Sequence, residues 1–182
     1  MTPTETHLPS LSNLEYLPYI DTEGKLPLFL AGKIGVYGIF DREKKLVFVG
    51  YSRDVYQSLR QHLVRQPQSC YWLKVQTIER PNRTILEGIK TAWIDENTAL
   101  PIGNDAESAK WSQAIDAKQE MTEAEAAQYQ NPLIDEVAKE KLLKNVARRV
   151  ETEILAVLES RGLKENIRFN PKLKTSGLLD LK

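Results

Sequence analysis

Apolar side chains gather first in two short stretches, Gly35-Val36-Tyr37-Gly38-Ile39-Phe40 and Leu46-Val47-Phe48-Val49-Gly50-Tyr51, both rich in β-branched and aromatic residues. The charged segment Asp41 to Lys45 divides them, and its length suits a β-hairpin. Ser52-Arg53-Asp54 then offers a helix cap, and Val55, Leu59 and Leu63 follow at helical spacing. A third strand is predicted over 71–78, YWLKVQTI, with Pro81 breaking the chain after it. Ile85, Leu86, Ile89, Ala92 and Trp93 predict the apolar side of a helix from Thr84 to about Glu96. From Pro132 onward, Leu133, Val137, Leu142, Val146, Val150, Ile154 and Leu158 predict one long helix over 132–161, stopped by Gly162. The ends read differently. Four prolines in residues 1–31 predict an irregular arm whose Leu14, Tyr16, Leu17, Tyr19 and Leu28 to Leu30 pack on the core, and the Lys-rich tail from Phe169 reads as flexible.

Composition adds bounds to this pattern. An apolar share of 41% and a charged share of 27% over 182 residues describe a protein with enough material for a core. The apolar run Leu26 to Leu30 is far too short to span a bilayer, so no membrane association is expected. The opening MTPTETHLPS lacks the basic and apolar parts of a secretory signal, which predicts a cytoplasmic location. Cys70 is the sole cysteine, which excludes an internal disulfide and, with two histidines, a Cys/His metal cluster.

Net charge is zero, yet residues 31–90 carry eleven basic and five acidic groups, and residues 91–140 carry three basic and eleven acidic. Two readings stand: the basic part attracts phosphates, or the acidic part neutralises it. Arg53, Arg60, Arg65 and Lys74, interleaved with Tyr51, Tyr56, Tyr71 and Trp72, are the candidates for a nucleic-acid-binding face, against the alternative of a solvated basic surface.

The order Gly35-Val36-Tyr37, Phe48-Val49-Gly50, Ser52, His62, Glu87 and Asn104 resembles the GIY-YIG nuclease superfamily over roughly residues 33–104. The resemblance implies an α+β fold: a small, mainly antiparallel three-stranded sheet flanked by helices. With the pattern, it implies an arm at 1–31, a GIY-YIG-like domain at 32–104, and an acidic linker and helical C-terminal extension at 105–182. It also implies a Mg²⁺ or Mn²⁺ ion held by Glu87, water activation by Tyr37 and support from His62. Where the family has a second tyrosine and a helix arginine, this chain has Phe48 and Ser58. Losing a preorganised cation of that kind costs on the order of 10²–10³ in rate, so a catalytically impaired nucleic-acid-binding module (DNA or RNA) is the expectation.

Two alternatives remain open beside it: a protein-interaction scaffold, with a partner or a second copy on the 132–161 helix, and a slow metal-dependent endonuclease. Bland roles stand beside the chemical ones. Thr84-x-x-Glu87 reads as a capping box, Tyr37 as a packed aromatic, His62 as a partly buried helix histidine and Cys70 as a small buried side chain.

Overall fold

The computed structural model of the chain describes residues 9–182, and in it the chain divides into two units, one ending at Trp111 and the other running from Ser112 to Lys182. Alternation of side chains across the pleat builds the first unit. It holds the strands β1 (Leu17–Pro18), β2 (Ile34–Phe40), β3 (Leu46–Ser52) and β4 (Trp72–Ile78), in the order β1-β4-β2-β3 with every pairing antiparallel. The sheet therefore has four strands where the sequence predicts three. The extra one is a two-residue strand within the arm, too short and too Pro-punctuated to show in a periodicity.

Helices α1 (Val55–Arg65) and α2 (Arg83–Glu96) cover opposite faces of this sheet. Tyr37 pairs with Gly50 and Ile39 with Phe48, and that face meets α1. The neighbouring positions Val36, Phe40 and Val49 point the other way and pack with Leu86, Ile89 and Trp93 of α2. The hairpin turn is closed by Asp41, whose carboxylate accepts from the backbone of Glu43 and Lys45. Lys44 takes a positive φ of 64° there.

The described part of the arm is held by specific bonds. Glu96 accepts from the Ser10 hydroxyl at 2.7 Å and from the backbone N–H groups of Leu11 and Ser12 at 2.8 and 2.9 Å. Burial pulls the Glu96 carboxyl upward, but these donors outweigh it and hold it down at about 2. Tyr19 and Leu30 are buried as expected of the arm, and Leu26 is buried with them, whereas Tyr16, Leu28 and Phe29 are exposed. Residues 1–8, with Pro3, lie outside the described residues.

Because β3 is an edge strand, its outer N–H and C=O groups need partners. Asn104 supplies them at one residue: its Oδ1 accepts from Val49 N and its Nδ2 donates to Val49 O, both at 2.8 Å. Asn104→Ala is expected to lower stability by about 1–3 kcal/mol through the two unmade bonds. The check is urea unfolding together with hydrogen exchange at the Val49 amide, which should speed up more than that of its inner neighbours on β2.

Helix α3 (Ser108–Ser112) brings Trp111 to the end of the first unit. The second unit opens with β5 (Ile115–Asp116) and a 3-10 turn at Ala117–Glu120. It continues through α4 (Glu123–Gln130), α5 (Glu136–Ser160) and α6 (Pro171–Lys174) to β6 (Leu178–Leu179), which pairs with β5. Thr122 and Glu125 form a complete capping box on α4. The long helix begins at Glu136 rather than at 132 because Asp135 caps it, accepting from Ala138 N at 2.7 Å. Leu133 consequently lies ahead of the helix, and Val137, in its first turn, is exposed, the buried stripe starting at Leu142. The tail, expected to be flexible, is ordered instead: Phe169 bridges to Leu181, and both Phe169 and Leu179 are buried.

Candidate functional site

The side chains singled out by sequence are gathered around one end of β2 and β3, but the sheet separates them. Tyr37 and His62 meet on the α1 face, where the phenol hydroxyl lies 2.8 Å from Nε2. Both are buried. Burial drives the His62 imidazole down to about 3; the charge of Arg65 adds to this, and the Trp111 backbone opposes it. His62 is therefore neutral, and a hydrogen bond joins its Nε2 to the Tyr37 hydroxyl. Burial likewise pushes the Tyr37 hydroxyl well above the usual phenol range, against the Ser58 hydroxyl and the Arg65 charge. A phenol so hard to ionise is a poor activator of water at neutral pH.

Phe48 and Trp111 seal this pocket. Their rings stack at 5.2 Å with a 3° interplanar angle, and His62 lies 4.6 Å from Phe48 and 5.8 Å from Trp111 by ring centroids. Gly50 is required beside them, since a Cβ there would come within 2.6 Å of the Phe48 ring and 2.9 Å of the Tyr37 hydroxyl. Ser58 turns toward the start of its own helix, donating to Ser52 Oγ at 2.7 Å, while Ser52 donates to the Asp54 carbonyl at 2.9 Å. The hydroxyls of Ser52 and Ser58 are thus consumed internally, whereas the buried His62 Nδ1 and Trp111 Nε1 have no hydrogen-bond partner among the described residues.

Glu87 belongs to the other face. Asn82, not Thr84, caps α2, accepting from Ile85 N at 3.1 Å, so the capping box read from Thr84-x-x-Glu87 is absent. Glu87 instead accepts the Tyr51 hydroxyl at 2.5 Å and lies 3.9 Å from Arg83 Nε, with its side chain 45% exposed. Its carboxylate, as hydrogen-bond partner, raises the Tyr51 phenol, with burial and its charge adding and Arg83 opposing. Tyr51 is the site residue that sequence reasoning missed in this role. The signal was its position in β3, one step out of phase with Phe48 and Gly50 and so on the α2 face. A Mg²⁺ or Mn²⁺ ion at Glu87 would rest on one carboxylate already accepting a hydroxyl. Among the described residues no three His, Cys, Asp or Glu side chains come together as a metal site.

The basic residues do not assemble into one face. Lys74 is 6% exposed, donating from Nζ to the Leu11 carbonyl at 3.0 Å under the Tyr16 ring, and burial lowers its pKa against the pull of Glu96. Arg65 donates to the Trp111 carbonyl at 3.0 Å. Arg60 is half-buried, and of the four only Arg53 stands fully exposed. Cys70, at the start of β4, is 0% exposed, with its thiol directed at the His62 carbonyl at 3.6 Å.

No family model matches the chain. Among curated proteins it is 31% identical over 99 residues to the bifunctional monothiol glutaredoxin-S16, chloroplastic, of Arabidopsis thaliana. The aligned stretch takes in 52% of this chain and 32% of that protein, so the chain spans about a third of the relative's length. The relative carries the name of a glutaredoxin and not of a nuclease. That finding corrects the expected membership of the GIY-YIG nuclease superfamily, and with it the nuclease and nucleic-acid-binding readings drawn from it, and it lends the scaffold alternative no support. The geometry agrees on the binding face, which Lys74 and Arg65 have left for internal partners. The coarse class stands: α+β, with a small antiparallel sheet and flanking helices. Among the described residues no helix is long and apolar enough to cross a membrane, and the relative's name places that protein in the chloroplast rather than the cytoplasm.

Proposed function

We propose that this chain is the companion module of a glutaredoxin-linked redox system, working beside the thiol chemistry and not performing it. The observation that carries this reading is the complete burial of Cys70 in a chain similar to a bifunctional monothiol glutaredoxin. Thiol–disulfide exchange needs a thiolate that an incoming sulfur can reach in line. Reactive cysteines sit in partly exposed, electropositive surroundings, whereas buried ones are inert. Cys70 has no exposure, and its neighbour His62 is held neutral. An iron–sulfur cluster draws on several cysteines, and this sequence has one. The redox half of such an arrangement therefore lies outside these residues, and the solvent-facing Tyr51–Glu87 pair is the polar site this half contributes.

Three measurements test it. Thiol titration with an aromatic disulfide reagent is expected to find Cys70 unreactive in the native protein and one thiol per chain in guanidinium. Glutathione-dependent reduction of a small mixed disulfide is expected to be absent, with and without Cys70→Ala. Calorimetric titration with the remaining portion of the Arabidopsis relative is expected to show saturable binding. Reductase activity that Cys70→Ala abolishes, or no binding to that portion, would overturn the reading.

A further inference from the structure

Val137, Lys141, Lys144 and Arg148 follow one another on α5 at steps of four, three and four residues, which sets them on a single face of the helix. With Glu140, Asn145 and Thr175 they line a groove of about 340 Å³. Three cations near them are matched: Lys139 pairs with Glu136, Arg149 with Glu125 and Glu153, and Lys174 with Glu151. Among the described residues Lys141, Lys144 and Arg148 make no ion pair. One of the lining residues, Val137, is a large apolar side chain 78% exposed, and Leu133, four residues ahead of it in sequence, is 90% exposed. Leu133 lies just ahead of the helix, before the Asp135 cap.

We propose that this groove docks an acidic segment of a partner protein, with one or two apolar side chains seated on Leu133 and Val137 and carboxylates following along Lys141, Lys144 and Arg148. Charge complementarity selects the sign of the occupant. The exposed Val137 selects its kind, because a peptide offers an aliphatic side chain to seat there and a phosphate backbone does not. From Val137 to Arg148 the groove runs about 16 Å along the helix axis, room for three turns of a helical segment or about five extended residues. An interface of that size is small, which implies a transient contact of micromolar strength. This surface is independent of the redox-linked reading, since it draws on no residue of the Tyr51–Glu87 site.

The test uses the full chain and three fluorescein-labelled probes followed by anisotropy: a Glu-rich dodecapeptide with two leucines near its N-terminus, the same peptide with serines for leucines, and an RNA dodecamer. The leucine peptide is expected to bind with a Kd in the micromolar range that weakens as salt rises. The double variant Lys144→Glu, Arg148→Glu should weaken it by at least about tenfold, in keeping with the loss and reversal of two rim charges. Val137→Ser, a solvent-facing change, should weaken it even at high salt, where the charges are screened. Circular dichroism of each variant should match the parent. Equal binding of the serine peptide, unchanged binding by the charge-reversed variant, preference for the RNA, or no binding at low salt would each overturn the proposal.

Discussion

Lowering the pH from 7.5 to 5 is expected to cost the first unit about 2 kcal/mol of stability, and His62→Gln is expected to abolish that loss. The folded imidazole is held down at about 3 by its burial. In the unfolded chain it returns to the ordinary histidine range near 6.5. Between those values the unfolded state binds a proton that the folded state refuses, so stability rises with pH across the window. The contribution is fully present above the unfolded pKa and is lost as pH falls toward the folded one. Stopping at pH 5 isolates the effect, because the carboxylates, Glu96 and Glu125 included, give up their stabilisation only below their ordinary range near 4.

All three tryptophans, Trp72, Trp93 and Trp111, lie in the first unit, so urea unfolding read by their fluorescence reports on it directly. A pH-independent midpoint in the parent protein, or an unchanged slope in His62→Gln, would show that the Tyr37–His62 pair is solvated and not sealed.

Period-2 and period-3.6 patterns carried most of this fold in plain view. The strands at 34–40, 46–52 and 72–78 and the helices at 55–65 and 83–96 fall within a residue or two of the stretches that alternation and spacing mark out. The misses have a common cause: they depend on contacts between residues far apart in sequence. Lys74 reads as a surface cation because its strand neighbours alternate poorly, yet the Leu11 carbonyl and the Tyr16 ring, both from the arm, give its ammonium a buried seat. Asn82 outcompetes Thr84 as the α2 cap, which releases Glu87 to Tyr51. Leu133 and Val137 match the apolar spacing of α5 and still face water: Leu133 precedes the Asp135 cap, and Val137 sits in the first turn, ahead of the buried stripe that starts at Leu142.

The candidate site was half legible. Tyr37 and His62 do meet, but the alternation of β3 sends Tyr51 and Glu87 to the opposite face, so three residues expected to act together are divided by the sheet. The triplets at 35–37 and 48–50 also have a packing explanation. A Cβ on Gly35 would press within 2.6 Å of the Gln76 carbonyl, and one on Gly50 would strike the Phe48 and Tyr37 rings. Close strand and ring approach demands glycine at those two positions whatever chemistry the chain performs.

The second large effect is expected at Trp111, a residue that no spacing rule marks as central. Trp111→Ala should lower the stability of the first unit by about 3–5 kcal/mol, the range for truncating a fully buried aromatic. Its indole is stacked on Phe48, lies beside His62, and is approached so closely by Gly103 that a Cβ there would sit 2.9 Å from the ring. Removing it leaves a cavity against the imidazole, and water that enters there would relieve the burial that holds His62 neutral. The variant should therefore lose two things at once: a large increment of stability at neutral pH, and much of the stability slope between pH 7.5 and 5. Trp111→Phe should restore part of the first by refilling the space against Phe48, and the slope should return with it. Urea unfolding of the three proteins at the two pH values, followed by the fluorescence of Trp72 and Trp93, separates the effects. A full loss of stability with the pH slope intact would mean that α1 and Tyr37 seal His62 by themselves, and that Trp111 serves only as packing.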